Sequence, residues 1–306
     1  MGEADALQCA VAAAGGKRGT AMQVTLRQAG RDDIETAGSI VFEGFKAISS
    51  KHNFPWDMPS AEVAITFIGS LVANGGFYGV IAESGGRIVG SNFLDLRGPI
   101  AGIGPITVDP NVQDRSIGRQ LMQAVLEKAR EVRAPGIRLV QAAYHNRSLA
   151  LYTKLGFDCR EQLSKFAGTP PQIALEGYRV RPANEADIDG CNAVCVRVHG
   201  HTREGELRDA IAQGTARVVE HLGRITGYAS DIAFFGHAVG ETNFEIKALI
   251  GATREIGGGG FLLPTRNGDL MRWCLNSGLQ IVHQMTLMTI GLYNEPDGAW
   301  IPSVTF

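Results

Sequence analysis

Apolar residues recur at three- and four-residue steps through Ile34, Ala37, Ile40, Val41 and Phe45, which predicts a helix over 31–48. The loop His52-Asn53-Phe54-Pro55-Trp56-Asp57 leads into a second helix near 60–73. The period then changes. Strands are predicted at 79–83, 87–96 and 100–108, the first two joined by the turn Ser84-Gly85-Gly86. A long helix at 117–133 carries one apolar stripe through Ile117, Leu121 and Val125, widened by Met122, Leu126 and Ala129, and stops at Pro135-Gly136. A strand at 137–143, a helix at 147–155 and a strand after Gly156-Phe157 complete this run. Around 167–177 the pattern lapses, and Pro170-Pro171 marks a linker.

Beyond the linker the pattern starts again, with helices at 185–199 and 203–213, strands near 216–221 and 224–232, a helix at 243–255, a strand at 260–264, a helix at 268–277 and a strand from 280. Val180 to Ile188 lies over Leu26 to Ile34 at a constant offset of 154 with four identities. Asn276-Ser277-Gly278-Leu279 repeats Lys154-Leu155-Gly156-Phe157 at an offset of 122, so the second copy is 32 residues shorter between these landmarks. The order of elements predicts a mixed-sheet α/β fold in two tandem copies. The expected division is a leader at 1–21, a first domain at 22–167, a linker at 168–177 and a second domain at 178–306.

Composition narrows the function. With 29 basic and 31 acidic residues the net charge is -2, so the chain lacks the basic footprint of a nucleic-acid binder. Five cysteines without framework spacing point to a reducing compartment. In the leader, Glu3 and Asp5 stand where a signal peptide carries Lys or Arg, so a disordered segment is expected there, with either Met1 or Met22 as the start. No apolar run reaches membrane-spanning length, and a cytoplasmic protein is expected.

The stretch from Val108 through Asp109-Pro110-Asn111-Val112-Gln113-Asp114-Arg115-Ser116-Ile117-Gly118-Arg119 to Met122 is the most informative. A strand enters a loop and then a helix, an order that aims backbone N–H groups and the positive end of the helix dipole at one spot. Arg115 and Arg119 oppose that dipole and cost about 0.3–1 kcal/mol each unless an anion is present. This stretch resembles the acyl-CoA-binding signature of the GNAT superfamily of N-acyltransferases, a strand followed by Gln/Arg-x-x-Gly-x-Gly/Ala and a helix. Gln113 and Gly118 match its ends, and Ser116 replaces its first glycine. Residues 146–157, from Asn146 to Gly156-Phe157 with Tyr152 between, resemble the family's second signature, and the likeness covers about 24–166.

The resemblance implies a GNAT fold in which acetyl-CoA is the co-substrate. It places Ile106, Thr107 and Val108 along the pantetheine, and Gln113, Asp114, Arg115, Ser116, Ile117, Gly118 and Arg119 around the pyrophosphate. It puts Asn146 beside CoA, where it also reads as a helix cap, and makes Tyr152 the acid that protonates the departing thiolate. Gly102, Gly104 and Pro105 predict interrupted pairing in the strand 100–108, where a free N–H would polarise the thioester. Arg147 reads either as a phosphate ligand or as a surface residue. Glu43, His52 and Asp95 are open choices for the base, and Phe54 and Trp56 either border the acceptor or anchor their loop.

The second copy has no such signature, and position 152 falls opposite Trp273 or Cys274. It is expected to be degenerate, without CoA, and to serve packing, dimerisation or acceptor shaping. Gly257-Gly258-Gly259-Gly260 follows a helix and precedes a strand, so it reads as a helix C-cap and flexible connector rather than a phosphate site. Cys191, Cys195 and His199 share a helix face, but buried core residues are preferred over a metal site. The expected activity is acetyl transfer from acetyl-CoA to a primary amine on a small molecule or peptide, without a metal, nucleic acid or membrane, with a homodimer as an option. The alternatives are a non-catalytic acyl-CoA-binding or sensor protein on the same fold, and a longer acyl donor.

Overall fold

The computed structural model describes residues 23–112 and 116–305. The leader with Met22, the loop residues Gln113, Asp114 and Arg115, and Phe306 lie outside the described residues. The first half runs β1 (Thr25–Gln28), α1 (Ile34–Lys51), α2 (Ala61–Ala73), β2 (Phe77–Ser84), β3 (Arg87–Asp95), β4 (Ile100–Ile103), β5 (Thr107–Val108), α3 (Ile117–Glu131), β6 (Gly136–Ala142), α4 (Asn146–Lys154) and β7 (Asp158–Ala167). The second runs β8 (Arg179–Pro182), α5 (Ile188–His199), α6 (Glu204–Gln213), β9 (Arg217–His221), β10 (Arg224–Ala229), β11 (Ala238–Gly240), α7 (Asn243–Ala252), β12 (Phe261–Pro264), α8 (Gly268–Asn276), β13 (Gln280–Gly291) and β14 (Ala299–Ile301). None of the described helices is long and apolar enough to cross a membrane.

The echo at offset 154 has a physical cause. Arg27 forks onto both oxygens of Asp33 at 2.7 Å, and Asp33 accepts the Gly30 N–H at 2.7 Å. Arg181, Asp187 and the Asn184 N–H repeat this at 2.7, 2.7 and 2.9 Å. Each fork locks the first strand of its half onto the start of the first helix, and a bidentate pair fixes direction as well as distance. The stripe predicted for α3 is buried: Ile117, Leu121, Met122, Val125, Leu126 and Ala129 pack on Val80, Ala82, Val89 and Leu94 of β2 and β3.

The two halves share one sheet. Its order is β1-β2-β3-β4-β6-β13-β7-β12, with β5 pairing β3, and a second sheet runs β14-β11-β10-β9-β8. By the internal correspondence β6 matches β12 and β7 matches β13. The block β6-β13-β7-β12 therefore reads the same when the halves are exchanged: β13 parts β6 from β7, and β7 parts β13 from β12. Antiparallel pairing holds β13 to β6 from Met285–Ala142 to Gly291–Gly136 and to β7 from Gln280–Ala167 to Thr289–Asp158. Covered on both faces, β13 is buried without a break from Met285 to Thr289, as a central strand should be.

Some expectations change. The strand 100–108 divides into β4 and β5, and β11 and β14, at three residues each, are too short to show a period. The glycine run is not a C-cap, since Thr253 caps α7. It is a packed turn: the Gly257 N–H donates to Ile232 O, and Gly258, Gly259 and Gly260 have φ of 61°, 69° and 141°. Cys191 and Cys195 are fully buried beside Ile188, Val194 and Val198.

Candidate active site

β4 and β6 are parallel neighbours only from Ile100–Gly136 to Ile103–Leu139. Past Ile103 the chain turns away through Gly104 and Pro105, and Thr107 and Val108 pair with Ser91 and Gly90 of β3. β6 continues to Ala142 along β13. The two strands thus splay, and a cavity of about 820 Å³ opens between them.

The cavity gathers Ile106, Thr107, Val108, Ser116, Ile117, Gly118, Arg119, Asn146 and Tyr152. The N-terminus of α3 forms one end. Ser116, in the place of the family's glycine, has φ 64° and ψ 9°, so the left-handed geometry survives the replacement at a cost of about 1–2 kcal/mol. The first turn of α3 holds no acidic residue and no side-chain cap. Lys51, Arg119, Arg147 and Lys154 line the cavity, and Asp57 is the single carboxylate among its described lining residues. A chain of net charge -2 thus concentrates positive charge where an anion would bind.

On α4, Tyr152 is buried, and burial pushes its phenol up to about 12, with the Ser148 hydroxyl pulling the other way. Ser148 Oγ lies 2.6 Å from His145 Nδ1. Burial, with Arg147 beside it, takes the His145 imidazole down to about 4, so the ring is neutral near pH 7. His145, not Asn146, occupies the cap position, and Asn146 is the first helical residue, exposed at the cavity. The capping expected of Asn146 is corrected accordingly.

Two polar groups in the wall lack partners among the described residues, and one of them, Gln141, escaped the sequence reading. Gln141 on β6 is buried, and neither its Oε1 nor its Nε2 has a hydrogen-bond partner among the described residues. The same holds for the Thr107 hydroxyl across the cavity. Alternation along β6 puts Gln141 on the face of Ile137 and Leu139, which belong to the cluster that contains Tyr152. A glutamine at a strand end looks like a surface residue in sequence.

At the other end, Asp57 Oδ1 accepts Lys165 Nζ at 3.0 Å and His283 Nε2 at 3.4 Å, and all three side chains are at most 7% exposed. Burial alone would raise the Asp57 carboxyl, but the His283 hydrogen bond and the Lys165 charge outweigh it and hold it below the usual carboxylate range. Phe54 stacks on Tyr144 at 4.3 Å, and Trp56 donates to Ser50 Oγ at 3.0 Å; neither lines the cavity, so both anchor their loop. Of the bases considered, Asp95 is tied to Arg97 at 2.6 Å, Glu43 is exposed outside the lining, and His52 sits at the rim.

The second half treats the equivalent helix start differently. Only Glu241 and Thr242 separate β11 from α7. Thr242 and the buried Glu245 close a capping box, Thr242 N–H to Oε2 at 2.8 Å and Thr242 Oγ1 to Oε2 at 2.6 Å, so a carboxylate of the chain already occupies the helix N-terminus. Phe157 N–H bonds Tyr152 O as Leu279 N–H bonds Cys274 O, which sets Cys274 opposite Tyr152.

Residues 43–157 match the model of the Acetyltransferase (GNAT) family. No curated protein sequence matches the chain. Among solved structures, a candidate acetyltransferase from Pyrococcus horikoshii is 20% identical, over 90% of this chain and 94% of that one, with a TM-score of 0.69. A GCN5-related N-acetyltransferase from Sphaerobacter thermophilus is 16% identical over 89% and 96%, with a TM-score of 0.59. A tandem GNAT protein from the clavulanic acid biosynthesis pathway is 15% identical over 88% and 98%, with a TM-score of 0.54. Residues 43–157 thus carry the likeness to the acetyltransferase (GNAT) family, set in a fold shared over nearly the whole chain with a tandem GNAT protein.

Proposed function

We propose that the protein is an acetyl-CoA-dependent N-acetyltransferase whose chemistry takes place in the first half. The observation that carries this reading is the wedge between β4 and β6, which runs from a cation-lined helix N-terminus to a buried tyrosine. In it the pyrophosphate lies on the first turn of α3 beside Arg119, and the pantetheine follows Ile106 to Val108. Gln141 and Thr107 supply partners for its amide groups, which would relieve the otherwise unmade bonds of those buried side chains.

The acceptor's neutral amine attacks the thioester carbon, the C–N bond forms, and the C–S bond breaks. Tyr152 gives its proton to the departing thiolate. A phenol near 12 is a weaker acid than tyrosine in water, so it holds its proton until negative charge develops on the departing sulfur. The tyrosinate regains a proton through Ser148 and the neutral His145, and the amine releases the one it no longer needs. The second half is proposed to hold no CoA, since Glu245 takes the place of a phosphate there. The four described cysteines are free, which suits the expected cytoplasmic setting.

Calorimetry with acetyl-CoA and a thiol-release screen over amines test this reading. Binding at one site with thiol release is expected. Tight binding without release from any amine would instead favour the sensor.

A further inference from the structure

The end of the cavity remote from α3 is built largely by the second half of the chain. Met58 and Phe67 from the first half face Phe234, Phe235, Met285 and Val304 from the second. The Phe67 and Phe235 rings are 4.6 Å apart. Val304 N–H donates to Phe234 O at 2.9 Å and Ser303 Oγ to Phe235 O at 3.0 Å, so the C-terminal segment pins the 234–235 turn in place. The wall is therefore apolar and held from behind.

One charge interrupts it. Asp57 uses Oδ1 for both Lys165 and His283, and Oδ2 accepts no hydrogen bond from the described residues, although the side chain lines the cavity. Lys165 is not open to a ligand: it is 5% exposed, paired with Asp57, and covered by the Phe234 ring at 4.0 Å. Beside the Tyr144 and Thr305 hydroxyls, this chamber therefore offers one carboxylate oxygen for an N–H and no uncommitted cation among its described wall residues.

We infer that the acceptor is a compact apolar primary amine, of the arylalkylamine kind, with its nitrogen at Asp57 Oδ2 and its hydrocarbon body against Phe67, Phe234, Phe235 and Val304. This deepens the transferase reading and rests on it. An amino acid places a carboxylate two bonds from its amine, which would force two like charges together in a dry chamber. A polyamine or an amino sugar would bury several cations or hydroxyls against a largely apolar wall, more than the Asp57 oxygen and the Tyr144 and Thr305 hydroxyls can pair. Because Lys165 and His283 already compensate Asp57, the chamber favours the neutral amine that the attack requires.

Matched acceptors test the inference. With acetyl-CoA as donor, 2-phenylethylamine is expected to exceed phenylalanine, spermidine and glucosamine in kcat/KM by at least tenfold. Equal or better use of any of these three overturns it. Val304→Arg, at a half-buried wall position, is expected to lower kcat/KM for 2-phenylethylamine at least tenfold and to narrow or reverse its lead over phenylalanine; an unchanged ratio overturns the placement. Titrating the free protein with 2-phenylethylamine and with phenylalanine separates the two readings. If acetyl-CoA fails to bind, the transferase reading falls, whereas selective uptake of the amine still upholds the chamber, and equal or absent uptake overturns it.

Discussion

Gly118 stands on the first turn of α3, where among the described residues an added Cβ would meet only Leu151 Cδ2 at 3.8 Å and Val108 Cγ2 at 3.9 Å. The described residues impose no steric need of a glycine there, and alanine should gain about 0.5–1 kcal/mol of helix stability. Gly118→Ala is accordingly expected to keep or raise Tm while weakening acetyl-CoA at least tenfold in calorimetry. An unchanged Kd would put the pyrophosphate elsewhere. Tyr152→Phe keeps the ring in its packing and removes the proton; kcat should fall at least tenfold with the acetyl-CoA Kd retained, and undiminished turnover would take Tyr152 out of the reaction. That both positions line the cavity was legible because each belongs to a short contiguous pattern. Asp57, Lys165 and His283 were not, since their meeting joins residues 108 and 226 positions apart. No local period or spacing reports such a contact.

Among elements, the long amphipathic helices followed their periodicity closely, and Gly104-Pro105 announced the break between β4 and β5. The partner of each strand was less accessible. A run such as Met285 to Thr289 says that a strand is covered on both sides but not by whom. Here β13 makes two ladders at once, with Leu287 opposite Val140 on β6 and Glu161 on β7. Proline at 287 removes a ladder donor from a central strand, a place where proline is essentially not found. For Leu287→Pro we expect both halves to lose their folded signal together and acetyl-CoA binding to vanish, read by calorimetric melting and titration. Persistent acetyl-CoA binding would mean that the first half holds its wedge without β13.

Across the whole molecule, the histidines set a lower limit in pH. Burial lowers His145 and His201 to about 4, and it takes His199 and His237 well below the usual imidazole value, with Arg203 among the cations that oppose their charging. In the unfolded chain these rings take up protons near pH 6.5, in the folded protein only near 4 or lower. Between those values the unfolded state binds more protons, so stability is full above about pH 6.5 and falls as pH falls towards 4. Thermal melts at pH 7 and pH 5 should therefore differ by many degrees, with the lower Tm at pH 5. A flat Tm over that range would show that the rings charge without penalty.

The reciprocal placement of β7 and β13 also bears on how such a chain could come about. Main-chain bonds hold that four-strand block, and they are indifferent to whether the loop before α3 binds a phosphate. Once two copies were fused, either one was free to trade its own chemistry for another use so long as its strand stayed in the common sheet. On the function proposed above, the short Glu241-Thr242 turn and the aromatic wall at Phe234 and Phe235 are that freedom spent: one half would keep the donor, and the other would serve as the mould for the acceptor.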